Sequence, residues 1–275
     1  MQVVLFEDPA CSWCWAFQPS DTTFRFEFGD ELDVRRVMGG LRDQPLPDRG
    51  FLRRQWLLAA EVSGMPFDPS ILEARTLQST FHACRAVKAV QVSQPALAER
   101  YLRRVREAFY VERVFVDDLN TLYSLATEVG VSLPKMEDHV DSARAEGFFR
   151  QDQAEAARFG FGFPTMVLMP TPGDTTADPV LLQGAVPYDD IVKAISEFGS
   201  REEIPRRIFR DTPDDWRRLF GLHTRLTLAE VAQVTGLEEI HLRKRLLEFG
   251  VDLSGPFCKV PAHTNFEPRQ EDLAV

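Results

Sequence analysis

The opening stretch MQVVLFEDPACSWCW constrains the fold more than any other part of the chain. It sets Cys11 and Cys14 one helical turn apart, directly after a short apolar run. Residues 3–6 (VVLF) are β-prone, and Asp8-Pro9 ends the run. Residues 12–28 read as an aromatic-rich helix kinked at Pro19. Residues 32–38 (LDVRRVM) form a second expected strand, closed by Gly39-Gly40. The chain therefore begins strand–helix–strand, with a crossover long enough for a parallel pair.

A cysteine pair at that junction has three readings: a redox couple, half of a metal site, or two structural thiols. A zinc site needs about four ligands, usually from two such pairs. Cys84, Cys258 and five scattered histidines are not paired at ligand spacing, so no metal is expected. A thiol attacks a disulfide only as thiolate, and a helix N-terminus favours negative charge. The strand–helix junction thus favours redox chemistry. Cys11 is expected to be the exposed nucleophile and Cys14 the buried resolving thiol, with Ser12 and Trp13 tuning the dithiol between them.

The next hundred residues are helical. Apolar residues recur at helical spacing over 51–62, 81–92, 96–110, 119–129 and 142–159, with breaks at Gly64-Met65-Pro66, Gln94-Pro95 and Leu133-Pro134. Strand character returns at 165–169 (TMVLM) after FGFGFP. The turn PTPGDTTADP leads to 180–183 (VLLQ), a hairpin pattern, and an amphipathic helix follows over 188–198. From about Gly199 charges cluster. Residues 227–249 read as two helices joined at Thr235-Gly236, and the tail after Gly250 as irregular. The expected organisation is a domain over 1–199, with a helical insertion at about 50–160, and a helical C-terminal module over 200–275.

A net charge of −10 argues against polyanionic partners such as nucleic acid or anionic lipid. No apolar run is long enough to span a bilayer. With the first strand beginning at Val3 there is no room ahead for a secretory signal, so Met1 as native start reads as cytoplasmic.

The segments DPACSWCWAFQP, VMGGL and GFGFPTMVL together resemble the DsbA family of thioredoxin-fold thiol-disulfide oxidoreductases, most closely its FrnE-like branch, over roughly the first two hundred residues. The resemblance implies an α/β, thioredoxin-like fold with a helical insertion. It implies Cys11 and Cys14 as the catalytic pair and Pro164 as a cis-proline. The Phe163 backbone would face the cysteines and pair with an extended substrate segment. Trp13, Ser12 and His82 are further substrate-contact candidates, and no cofactor is implied. Of Trp13 and Trp15, one is expected to cover the cysteines and the other to pack in the core. Cys84 is expected to be a small buried hydrophobe.

Three departures stand out. Leu5 occupies the position where many such proteins bury a carboxylate, with Glu7 on the same strand face as a substitute. Phe163 is bulky where Thr or Val is common. Cys258 has no partner at the spacing of the second pair that FrnE-like proteins can carry.

Protein thiols or disulfides are the expected substrates. A redox-sensing adaptor that hands a regulatory protein to a protease, docked through the C-terminal module, is the alternative. The segment 227–249 also resembles a helix-turn-helix bearing Arg243, Lys244 and Arg245, but Glu238 and Glu239 oppose a phosphate contact. Family relatives that act as glutathione-dependent isomerases place Ser at the position of Cys11, so the intact pair argues against that activity.

Overall fold

The computed structural model describes residues 1–45, 48–160, 162–170, 178–198, 204–262, 264 and 266. Strand β1 (Gln2–Glu7) lies inside the sheet, which explains its near-continuous apolar run. It pairs in parallel with β2 (Val34–Met38), Val3 opposite Val34 and Glu7 opposite Met38. On its other side it runs antiparallel to β3 (Thr165–Met169), which pairs antiparallel with β4 (Val180–Gln183). The order is β2-β1-β3-β4. The hairpin turn at 171–177 lies outside the described residues.

Between β1 and β2 the expected kinked helix is two helices, α1 (Ser12–Ala16) and α2 (Gln18–Phe28), meeting at Phe17. Pro19 falls in the first turn of α2, where its missing N–H leaves no intrahelical bond unmade, so it opens a helix instead of bending one.

The insertion holds α3 (Arg49–Ser63), α4 (Ile71–Ala74), α5 (Phe81–Ser93), α6 (Pro95–Tyr110), α7 (Leu119–Glu128), α8 (Leu133–Asp141) and α9 (Arg144–Phe159). The Leu133-Pro134 break is in fact the start of α8, again because proline suits the first helical turn. Helices α8 and α9 are separated at Ala143, whose φ of 57° is left-handed. Helix α10 (Tyr188–Phe198) follows β4.

The C-terminal segment contains α11 (Pro213–Leu222), α12 (Leu228–Thr235) and α13 (Glu239–Glu248). Gly236, at φ 65°, makes the turn after α12, a conformation that favours glycine. Between 251 and 260 the tail is more regular than expected: Leu226 bridges Cys258, and Asp252 bridges Lys259. The boundary expected at Gly199 lies outside the described residues.

These helices dock on the sheet domain through a mixed contact. Phe26 of α2 joins their apolar cluster beside Trp216, Leu219 and Leu242. Glu230 of α12 is buried and accepts bonds from Arg103 Nη1 at 2.6 Å and Nη2 at 2.9 Å, and from the Thr22 hydroxyl at 2.9 Å. It also closes a capping box with Thr227. The cations of the helix-turn-helix-like segment are occupied: Arg243 pairs with Glu239, Lys244 with Glu248, and Arg245 with Asp211 and Glu248. No helix among the described residues is long and apolar enough to cross a membrane.

Candidate active site

The turn after β1 delivers Cys11 to the N-cap of α1 in an extended conformation, φ −85° and ψ 116°. Its carbonyl accepts from the N–H groups of Cys14 (3.0 Å) and Trp15 (3.2 Å). Its thiol donates to the Phe163 carbonyl across 3.4 Å. The Phe163–Pro164 bond is cis. The structure thus brings together Cys11, Cys14, Phe163 and Pro164 from two segments about 150 residues apart in sequence. Both cysteines carry free thiols.

Asp8 fixes the loop. This buried carboxylate accepts from Ala10 N–H on Oδ1 at 2.7 Å. On Oδ2 it accepts from Leu41 N–H at 2.7 Å, the Thr80 hydroxyl at 2.6 Å and the Cys84 thiol at 3.4 Å. Burial raises the Asp8 carboxyl above its usual range, and these hydrogen bonds pull the other way. Cys84 is buried as expected, though as a donor to Asp8 and not merely as a hydrophobe.

Cys11 is not exposed. It is 4% accessible and Cys14 1%, so the expected contrast between the two thiols is small. Both cysteines belong to one buried apolar cluster with Val4, Phe6, Val37, Ala156, Val167 and Phe163, the last 8% exposed. The carbonyl of Phe163, not its side chain, is what the Cys11 thiol meets. The ring is accommodated because position 39 has no Cβ: one built on Gly39 would run into the Phe163 ring. We expect Gly39→Ala to lower stability by about 1–3 kcal/mol through overpacking and to disturb the Cys11 contact. Phe163→Val in the same chain should restore melting temperature and exchange rate. If the double variant is no better than Gly39→Ala alone, the coupling is absent.

Burial drives the Cys14 thiol well above its ordinary pKa, helped by the hydrogen bond and charge of Cys11 and by Glu7, with Arg106 opposing. Glu7 is buried at the end of β1, where its charge acts on Cys14. Each of its oxygens is held by a guanidinium, Oε1 by Arg36 at 2.8 Å and Oε2 by Arg106 at 2.6 Å. Arg36 continues to Asp21 at 2.5 Å.

Around this pair, Trp13 is half-buried and its indole N–H donates to Gln55 of α3 at 3.2 Å. Trp15 is buried in the core, donating to the Pro66 carbonyl at 2.9 Å and stacking on Tyr110. Ser12 is half-buried between the cysteines. His82 is half-buried in the first turn of α5, and among the described residues no hydrogen bond or ion pair joins it to the cysteines. Asp8, Gly39, Arg106 and Tyr110 were not anticipated. Asp8 and Gly39 read as turn residues, and nothing in the sequence ties α6 to the first strand.

A thiol at a helix N-cap with a second one turn into the helix, beside a cis-proline at the start of β3 and on a β2-β1-β3-β4 sheet, defines a thioredoxin-like architecture. A family model described as Thioredoxin matches residues 4–193, and the chain belongs to that family. Among solved structures, the chain is similar to a Nitrosomonas europaea protein described provisionally as a protein disulfide isomerase, with 25% identity and a TM-score of 0.64 over 74% of this chain and 100% of that one. It is also similar to the cytosolic disulfide reductase DsbM of Pseudomonas aeruginosa, with 24% identity and a TM-score of 0.59 over the same shares, a likeness that bears on the fold. Among curated proteins, it is 24% identical to the ClpXP adapter protein SpxH of Halalkalibacterium halodurans over 92% of this chain and 85% of that protein. It is 22% identical to SpxH of Bacillus subtilis over 74% and 70% respectively.

Proposed function

We propose that the protein exchanges disulfides with protein substrates through Cys11 and Cys14. The observation that supports this most directly is the Cys11 thiol at the N-cap of α1, in contact with the Phe163 carbonyl beside Pro164. In the reducing direction the Cys11 thiolate attacks a substrate disulfide, and one substrate sulfur leaves as thiolate and takes a proton. The Cys14 thiolate then attacks the Cys11 sulfur. This closes the Cys11–Cys14 disulfide and releases the second substrate sulfur, with two electrons passed to the substrate. The Phe163 peptide would align an extended substrate segment, and Trp13 and Ser12 would flank it. A cytoplasmic setting accords with DsbM, which is named as cytosolic.

A second reading has its own support. The likeness to SpxH extends over nearly the whole chain, beyond the thioredoxin match that ends at residue 193. On this reading the protein is an adaptor, and the C-terminal helices form part of the docking face.

One experiment weighs the two. In a Cys14→Ser protein the mixed disulfide on Cys11 cannot be resolved, so partners stay attached. Capture in cells followed by mass spectrometry should yield many substrates if the protein is an exchange enzyme. One or two dominant partners would favour the adaptor. If no partner is held through Cys11, thiol exchange is not its function.

A further inference from the structure

Leu5 offers Cys14 no polar group, and the buried Glu7 carboxylate, held by two guanidiniums, raises the Cys14 thiol and so does not ease its proton loss. Helix α6 supplies two candidates. Arg106 and Tyr110 stand four residues apart, on one helical face. Arg106 is 1% exposed; one Nη donates to Glu7 Oε2 at 2.6 Å, and its Nε has no hydrogen-bond partner. Tyr110 stacks on Trp15, the residue after Cys14, at a ring separation of 6.0 Å, and its buried hydroxyl also lacks a partner. Unpaired donors this deep are costly and call for an explanation.

The groups acting on the Cys14 sulfur are Cys11 from its own helix, Glu7 from β1 and Arg106 from α6, and the Tyr110 phenol of α6 faces Cys11 and Asp8 as well as Cys14. Arg106 is the cation among them. Burial holds the Tyr110 phenol protonated, far above its ordinary range, with the cysteines and Asp8 adding to the effect. It is therefore a donor to any nearby anion.

We propose that Arg106 and Tyr110 are positioning residues that stabilise the Cys14 thiolate in the resolving step, the first by its charge and the second by its O–H. This inference rests on the thiol-exchange reading and assigns the groups that govern its second half.

The aromatic disulfide 5,5′-dithiobis(2-nitrobenzoate) separates the two halves. The Cys11 thiolate attacks it, and one thionitrobenzoate leaves. Cys14 then gives its proton to the buffer and attacks the Cys11 sulfur; the second thionitrobenzoate leaves as the Cys11–Cys14 disulfide closes. In Tyr110→Phe and Arg106→Met the readout is the second release measured against the first. Each should slow the second about tenfold and move its pH midpoint up by about one unit. Arg106→Lys, which keeps the charge, should recover most of the rate. Where Arg106→Met fails to fold, Tyr110→Phe and the pH midpoint of Arg106→Lys decide. A second release with parental rate and midpoint in Tyr110→Phe and Arg106→Met, or in Tyr110→Phe alone where the latter does not fold, overturns the inference. A parent chain that gives no first release overturns the thiol-exchange reading, and the inference with it.

Discussion

Cys11→Ser is expected to bring insulin-disulfide reduction down to the uncatalysed background while leaving the fold intact. The serine hydroxyl is close in size to the thiol and can keep a bond to the Phe163 carbonyl, now 3.4 Å from sulfur. Stability should therefore change by no more than about 1 kcal/mol. The oxygen cannot form the mixed disulfide, so the loss belongs to chemistry alone. Reduction that persists in a correctly folded Cys11→Ser protein would remove Cys11 from the mechanism. Cys84 and Cys258, both buried, provide no ready substitute.

The largest effect on stability is expected at Glu230, outside the site. Glu230→Ala should cost about 3–5 kcal/mol, because it strips a buried guanidinium of its main partner. Arg103 would keep Glu107 at 2.8 Å and Gln18 at 3.3 Å, while the Thr22 hydroxyl and the Thr227 cap would lose their acceptor. Chemical denaturation of the full chain measures the loss, and a change below about 1 kcal/mol would mean that the contact is held by Phe26 and its apolar neighbours.

The same junction sets an acid limit. Burial alone would raise Glu230, but the charge and hydrogen bonds of Arg103 overcome it and bring the carboxyl down to about 2. The unfolded chain therefore takes up that proton first as pH falls. The stability Glu230 contributes is complete above about 4.5 and is lost towards about 2. Burial, reinforced by Arg103, lowers His223 to about 4, so the fold keeps it neutral while the unfolded chain protonates near 6.5. Its contribution is likewise lost as pH falls, between 6.5 and about 4. Unfolding free energy should thus decline in two stages below pH 6.5, and His223→Gln should remove the upper one. Asp8 acts in the opposite sense, since a raised carboxyl relieves the folded state on protonation.

Much of this was legible in the sequence because it is local. The cysteine spacing, the Asp8-Pro9 stop and the period-2 and period-3.6 runs locate the four strands and most helices within a few residues. Helices α8 and α11 were not placed from the sequence, and they share one feature. Each begins with a proline in its first turn, at Pro134 and Pro213, and proline there marks a start as readily as a break. For α11 the signal was present: Thr212 caps it, with Asp214 and Asp215 in the first turn, in a stretch read only as clustered charge within a helical module. The accessibility of Cys11 could not be read at all, since the thiol meets a carbonyl 152 residues away and lies in a cluster drawn from distant segments. Nor could the tie between Arg106 and Glu7, 99 residues apart, because an arginine on a helix gives no sign of which strand it will meet.

Asp8 carries no chemistry in this scheme, yet it fastens the cysteine loop, the loop after β2 and the head of α5 to a single carboxylate. The rim of the site is accordingly a keyed unit. Evolution or an engineer wishing to retune which partners enter cannot trade one of those segments in isolation, and variation in selectivity should accumulate on Trp13 and α3, which that key leaves unlocked.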